Sequence, residues 1–124
     1  MFKLVKIINS VSGAPECVKL PVADTDACYG DAMKLKDGKL VKAEANEYPE
    51  YVVCSKAAQG GAVTAFAVTE QMTLETLLIT EEGYTANIGD RVAVTENGCV
   101  TPTESGCGII ESVCGSTVYV KFIK

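Results

Sequence analysis

Apolar and polar residues alternate with a period of two along most of this chain, and that period predicts strands. Residues 2–8 open the pattern, with Phe2, Leu4 and the Ile7-Ile8 pair apolar, and residues 9–15 form a turn around Ser12-Gly13. Residues 16–22 then set Val18, Leu20 and Val22 on one face against Cys17, Lys19 and Pro21 on the other. Next, Met33, Leu35 and Leu40 are expected to point inward, with Lys34, Lys36 and Lys39 outward. Tyr51-Val52-Val53-Cys54 is short, apolar and β-branched, which suits a central strand. A turn over 57–61 leads to a strand over 62–68. Residues 69–79 are ambiguous: Leu74, Leu77 and Leu78 suit a helix, but Met72, Leu74, Thr76 and Leu78 alternate, and Thr73, Thr76 and Ile79 are β-branched. The alternation decides for a strand. Polar segments at 44–50, 81–88 and 101–106 read as loops. The chain closes with strands over 108–113 and 117–123, joined at Cys114-Gly115-Ser116.

Two stretches about 59 residues apart repeat one design, the first from Gly30-Asp31 to Val41 and the second from Gly89-Asp90 to Val100. Each is a Gly-Asp turn, an alternating strand, a reversal at Asp37-Gly38 or Asn97-Gly98, and a return strand. Asp-Gly and Asn-Gly supply the positive φ angles of a tight hairpin, and Asp can bond its own local backbone. The expectation is an all-β fold of about eight to ten short strands, a small antiparallel β-barrel or sandwich with two Gly-Asp hairpin units. One domain spans 1–124, with an N-terminal strand and turn over 1–15 and a barrel or sandwich body over 16–123.

Charge and composition narrow the function. The net charge is −5, from 16 acidic and 11 basic residues. The densest basic stretch, Lys34, Lys36, Lys39 and Lys42, is interleaved with Asp31, Asp37 and Glu44, so a nucleic-acid face is not expected. The opening residues lack the apolar core and cleavage site of a leader peptide. No run reaches the ~18 apolar residues of a membrane helix, so no membrane partner is expected.

Candidate chemistry is sparse. There is no His, which removes the commonest neutral-pH base and metal ligand. The six cysteines, Cys17, Cys28, Cys54, Cys99, Cys107 and Cys114, form no Cys-x-x-Cys. They are expected as reduced, mostly buried thiols on strands rather than as disulfides or zinc ligands. Asp24-x-Asp26 lacks the other ligands of a calcium loop, and Glu81-Glu82 reads as a solvated loop pair. No phosphate-binding glycine loop occurs. No catalytic residue, metal or cofactor is expected.

The order of these signals carries a resemblance. Leu20-Pro21-Val22-Ala23 is followed by the Gly30-Asp31 unit, by Val52-Val53-Cys54 running to Gly60-Gly61, by the Gly89-Asp90 unit and by Val118-Tyr119-Val120-Lys121-Phe122. Over residues 16–123 this resembles the small β-rich capsid decoration, or cement, proteins of tailed phages and prophages. The resemblance implies a non-enzymatic virion protein, made in the host cytoplasm, that docks on the outside of the capsid and stabilises it. Its partners would be the major capsid protein and copies of itself, with a trimer favoured. Loops around Tyr48-Pro49, Tyr84 and Pro102 are the candidate contacts, because aromatics and Pro bring contact area at low entropic cost. The alternative is a small β-barrel binding module that recognises a peptide, glycan or protein partner. An enzyme with a dispersed site is a third class, and would need a pocket with clustered polar groups.

Overall fold

A computed structural model describes residues 1–7, 17–23, 27–55, 61–95 and 98–124. Among the described residues there is no α-helix, and eleven strands occur, one more than the upper expectation. They are β1 (Lys3–Ile7), β2 (Cys17–Pro21), β3 (Ala32–Lys36), β4 (Lys39–Lys42), β5 (Tyr51–Val53), β6 (Ala62–Ala67), β7 (Met72–Leu77), β8 (Arg91–Thr95), β9 (Cys99–Pro102), β10 (Gly108–Cys114) and β11 (Thr117–Phe122). The ambiguous segment is a strand over Met72–Leu77: Met72, Leu74 and Thr76 are buried, as the alternation predicts, and Thr73 on the other face is buried too, its hydroxyl donating to Glu111 Oε1 at 2.7 Å. The turn expected over 9–15, Asp24 and Asp26, the turn residues 57–60 and Asn97 lie outside the described residues.

The strands form two antiparallel sheets, packed in a sandwich-like arrangement. One is six-stranded, in the order β1-β7-β11-β10-β8-β9, and the other five-stranded, in the order β2-β6-β5-β3-β4. The sheets are not closed into a barrel. A parallel bridge joins Val22, just after β2, to Leu40 of β4 in one sheet, and Leu78, just after β7, to Val100 of β9 in the other. Leaving β1 aside, the two sheets share one order of pairing: first, last, fourth, second and third strand of each set of five. The backbone repeats in detail. Gly30 N–H donates to the Val53 carbonyl and Val53 N–H to that of Asp31; Gly89, Ile110 and Asp90 do the same. The Asp31 carboxylate accepts the Cys28 N–H at 2.9 Å, and the Asp90 carboxylate accepts the Asn87 N–H at 2.9 Å.

Burial explains which apolar runs are continuous and which alternate. The main core fills the space between the sheets. Ala32, Val52 and Phe66 come from the five-stranded side; Leu74, Val92, Val100, Ile110, Val118, Val120 and Phe122 come from the other. A second cluster of Val22, Ala27, Met33, Leu40, Val53, Val63 and Ala65 lies on the opposite face of the five-stranded sheet. Val52 and Val53 therefore sit in different clusters, and a strand buried on both faces must read as an unbroken apolar run. Leu35 departs from expectation: it is 40% exposed, because β3 runs past the core toward its reversal. Strand β2 is also more open than its alternation suggests, with Val18 exposed at the sheet edge.

The two sheets meet at a tight backbone crossing. Gly98 has φ +69°, and a Cβ there would run into the Gly30 carbonyl. The hydroxyl of buried Thr76 donates to the Gly98 carbonyl, and Phe2 N–H donates to that of Gly30 at 3.0 Å. Phe2 then packs edge-on against Phe122, with ring centroids 5.6 Å apart. The amino-terminal segment thus pins both sheets from one side.

Candidate functional site

The four candidate contact residues fall in two places. Tyr48 is half-buried, its hydroxyl donating to the Val68 carbonyl at 3.1 Å and its ring set edge-on to Phe122 at 6.5 Å. Lys124 Nζ stands 5.2 Å from the ring centroid, within cation–π range. Burial pushes the Tyr48 phenol above its ordinary value, with the Glu70 charge adding to it. Pro49 is buried. These two residues are part of the packing between the loop and the sandwich, so what they offer a partner is small.

Tyr84 and Pro102 come together at the other place. They line an open depression of about 490 Å³ with Asp90, Arg91 and Glu104. Tyr84 is 41% exposed, and its hydroxyl donates to Asp90 Oδ2 at 2.7 Å. That same oxygen accepts the Asn87 N–H. The backbone bond from Asn87, then the bond from Tyr84, holds the Asp90 carboxyl below the usual range. The reciprocal effect raises the Tyr84 phenol, with the Asp90 hydrogen bond its main cause. Arg91 is tied back by a 3.3 Å bond to the Gly106 carbonyl. Two residues before Asp90, Ile88 is 74% exposed. The loop over 81–90 therefore presents a tethered aromatic ring and a bare aliphatic side chain on fixed backbone, which is how a contact surface limits the entropy lost on binding.

In the lysine stretch, Lys34 is charge-balanced. Lys34 pairs with Glu47 at 2.6 Å, and Glu47 also accepts the Glu44 N–H, which fixes the loop over 44–47. The Glu47 bond is the main cause raising the Lys34 ammonium above its ordinary value, and the same bond lowers the Glu47 carboxyl. Lys36 and Lys39 face each other across the β3–β4 reversal, where Asp37 and Gly38 both have positive φ.

The thiols correct an expectation. Only Cys99 is buried; Cys54 and Cys107 are half-buried, and Cys17, Cys28 and Cys114 are exposed. The reason is position: Cys17 starts an edge strand and Cys114 ends the protruding β10–β11 pair. Cys54 and Cys17 bring their sulfurs to 3.0 Å, a proximity with no sequence signal, since 37 positions separate them. Among the described residues no group of three or more Cys, Asp or Glu converges as a metal site. No protein-family model matches the chain, and no curated protein matches it as a relative.

Proposed function

We propose that this chain is a structural virion protein, one domain spanning 1–124, that binds the outside of a phage capsid and stabilises it. In this reading its two Gly-Asp hairpins are equivalent units of a duplicated scaffold. The matching hydrogen bonds of Gly30, Asp31 and Val53 and of Gly89, Asp90 and Ile110 support that equivalence. The observation that carries the reading is the tethered loop that exposes Tyr84 and Ile88, held at Asp90, with Tyr84 beside Pro102. A rigid scaffold with an ordered contact loop suits a protein that acts by covering seams between larger subunits. Its partners are the major capsid protein and further copies of itself in a trimer, which would also cover open strand edges such as β1. It uses no cofactor and performs no catalysis.

Undecorated capsids mixed with the purified chain test this. Stoichiometric binding and a higher capsid disruption temperature are expected, with light scattering of the free chain reporting a trimer. A strictly monomeric chain that neither binds capsids nor protects them from heat would sink the proposal. A second reading, a binding module for a peptide, glycan or protein, is favoured by the open depression of about 490 Å³ at Tyr84 and Pro102. It would be preferred if the chain bound an isolated peptide or glycan there while ignoring capsids.

A further inference from the structure

We propose that Cys17 and Cys54 are a disulfide-forming pair, reduced in this structure and closed by exchange with a small disulfide such as oxidised glutathione. The Cys54 S–H donates to Cys17 Sγ across 3.0 Å, so closure to the ~2.05 Å of a disulfide brings the sulfurs together by about 1 Å and draws the edge strand toward β5, because a disulfide holds its two Cα atoms closer than strands on either side of a third normally lie. The backbone places that movement where it is cheapest. Cys17 is the first residue of edge strand β2 and lies opposite Phe66 of β6. Cys54 follows β5, and its N–H donates to the carbonyl of Thr64, two residues from Phe66 on β6. Residues two apart on a strand share a face, so the two cysteines flank β6 on one side. A bond between them passes over β6 and ties the sheet's edge to its third strand.

Access is also present. Both cysteines line an open depression of about 380 Å³ whose wall includes Phe2, Lys3 and Tyr29. Cys17 is exposed and Cys54 half-buried. The Cys54 thiol is pushed up to about 12, first by burial and then by its bond to Cys17. Cys17, the exposed member of the pair, is the one a small disulfide reaches first, and its thiolate attacks. The glutathione S–S bond breaks, a mixed disulfide forms on Cys17, and one glutathione leaves with the proton that Cys17 gives up. Capping Cys17 removes its bond and charge from Cys54. Cys54 then loses its proton and attacks the Cys17 sulfur, and the second glutathione leaves as a thiol. Two protein thiols are oxidised and one small disulfide is reduced to two thiols. The link is therefore open in a reducing compartment and closes once the chain is in an oxidising one, whatever surface the chain docks on.

The full chain, equilibrated in glutathione buffers from fully reduced to mostly oxidised, acid-quenched, alkylated and peptide-mapped, tests this. The expected result is one link, Cys17 to Cys54, with loss of two hydrogens in mass and the other cysteines alkylated. Slower amide exchange over β2 should accompany it. Cys17→Ser, at an exposed position, and Cys54→Ser should each abolish the link and the slowing. Six alkylated thiols at the oxidising end would overturn the proposal. So would stable glutathione adducts on Cys17, or an equal yield of the link from urea-unfolded chain.

Discussion

Tyr48 and Tyr84 look alike in sequence, each in a polar loop, yet their surroundings assign them opposite work. Tyr48 is joined to Val68, Phe122 and Lys124, so Tyr48→Ala should lower the unfolding free energy by about 2 kcal/mol, below the full cost of emptying a buried aromatic site. Tyr48→Phe should lose only about 1 kcal/mol with the hydroxyl bond. Tyr84→Ala should leave the unfolding midpoint nearly unchanged and, on the proposed capsid-docking reading, weaken capsid binding several-fold; urea titration and capsid pull-down read the two effects. Two hydrogen-bonded carboxylates contribute to acid stability. Asp90 and Glu47 titrate below their ordinary values of 3.8 and 4.5 in the folded chain. Each therefore contributes stability that is present above those values and is lost as pH falls through the lowered ones. Urea midpoints should hold from neutral pH down to the ordinary carboxylate range and then drop. In the double variant Asp90→Asn, Glu47→Gln the drop should be shallower, and an unchanged slope would remove these two groups as its cause.

Among the elements, the two glycines that precede return strands β4 and β9, Gly38 and Gly98, are not equally constrained. Gly38 has φ +78° with open space where a Cβ would go, so Gly38→Ala carries only the left-handed backbone penalty of about 1 kcal/mol. Gly98 has a similar φ but abuts the Gly30 carbonyl, and its own carbonyl accepts from buried Thr76. Gly98→Ala must therefore move backbone of the other sheet and should cost more than about 2 kcal/mol. Chemical denaturation of both variants checks the order; equal losses would show that the crossing is not tight. The turn carboxylates differ in the same sense. Asp31 is 8% exposed and Asp90 sits at the surface depression, so the Ala variant of Asp31 should be the more damaging of the two.

On the scale of the whole molecule, the shared core makes the two sheets one unit. Phe2 and Phe122 touch, and Ala32, Val52 and Phe66 close the same cluster from the five-stranded side. Phe122→Ala, which empties a fully buried site, should cost about 3–5 kcal/mol. Probes placed in either sheet should still report a single coincident transition. Two separated transitions in calorimetry would show instead that each sheet, with its shared pairing order, stands on its own smaller core.

Local pattern alone determined the strand content of this chain. Period-two runs such as Val118-Tyr119-Val120-Lys121-Phe122 bury one face, so alternation is a direct imprint of a half-buried strand. The unbroken Val52-Val53 pair likewise marked an interior strand, and the Gly-Asp stretches marked sharp entries, because turn chemistry acts over neighbouring residues. What depends on distant residues had no such imprint. Burial of Pro49, the inward turn of Tyr48, exposure of Leu35 and Cys17, the meeting of Tyr84 with Pro102, and the approach of Cys17 to Cys54 all follow from which strand became an edge and which sheet lies across the core. Those outcomes are decided by packing between segments far apart in the chain. No periodicity within one segment encodes the identity of its neighbour.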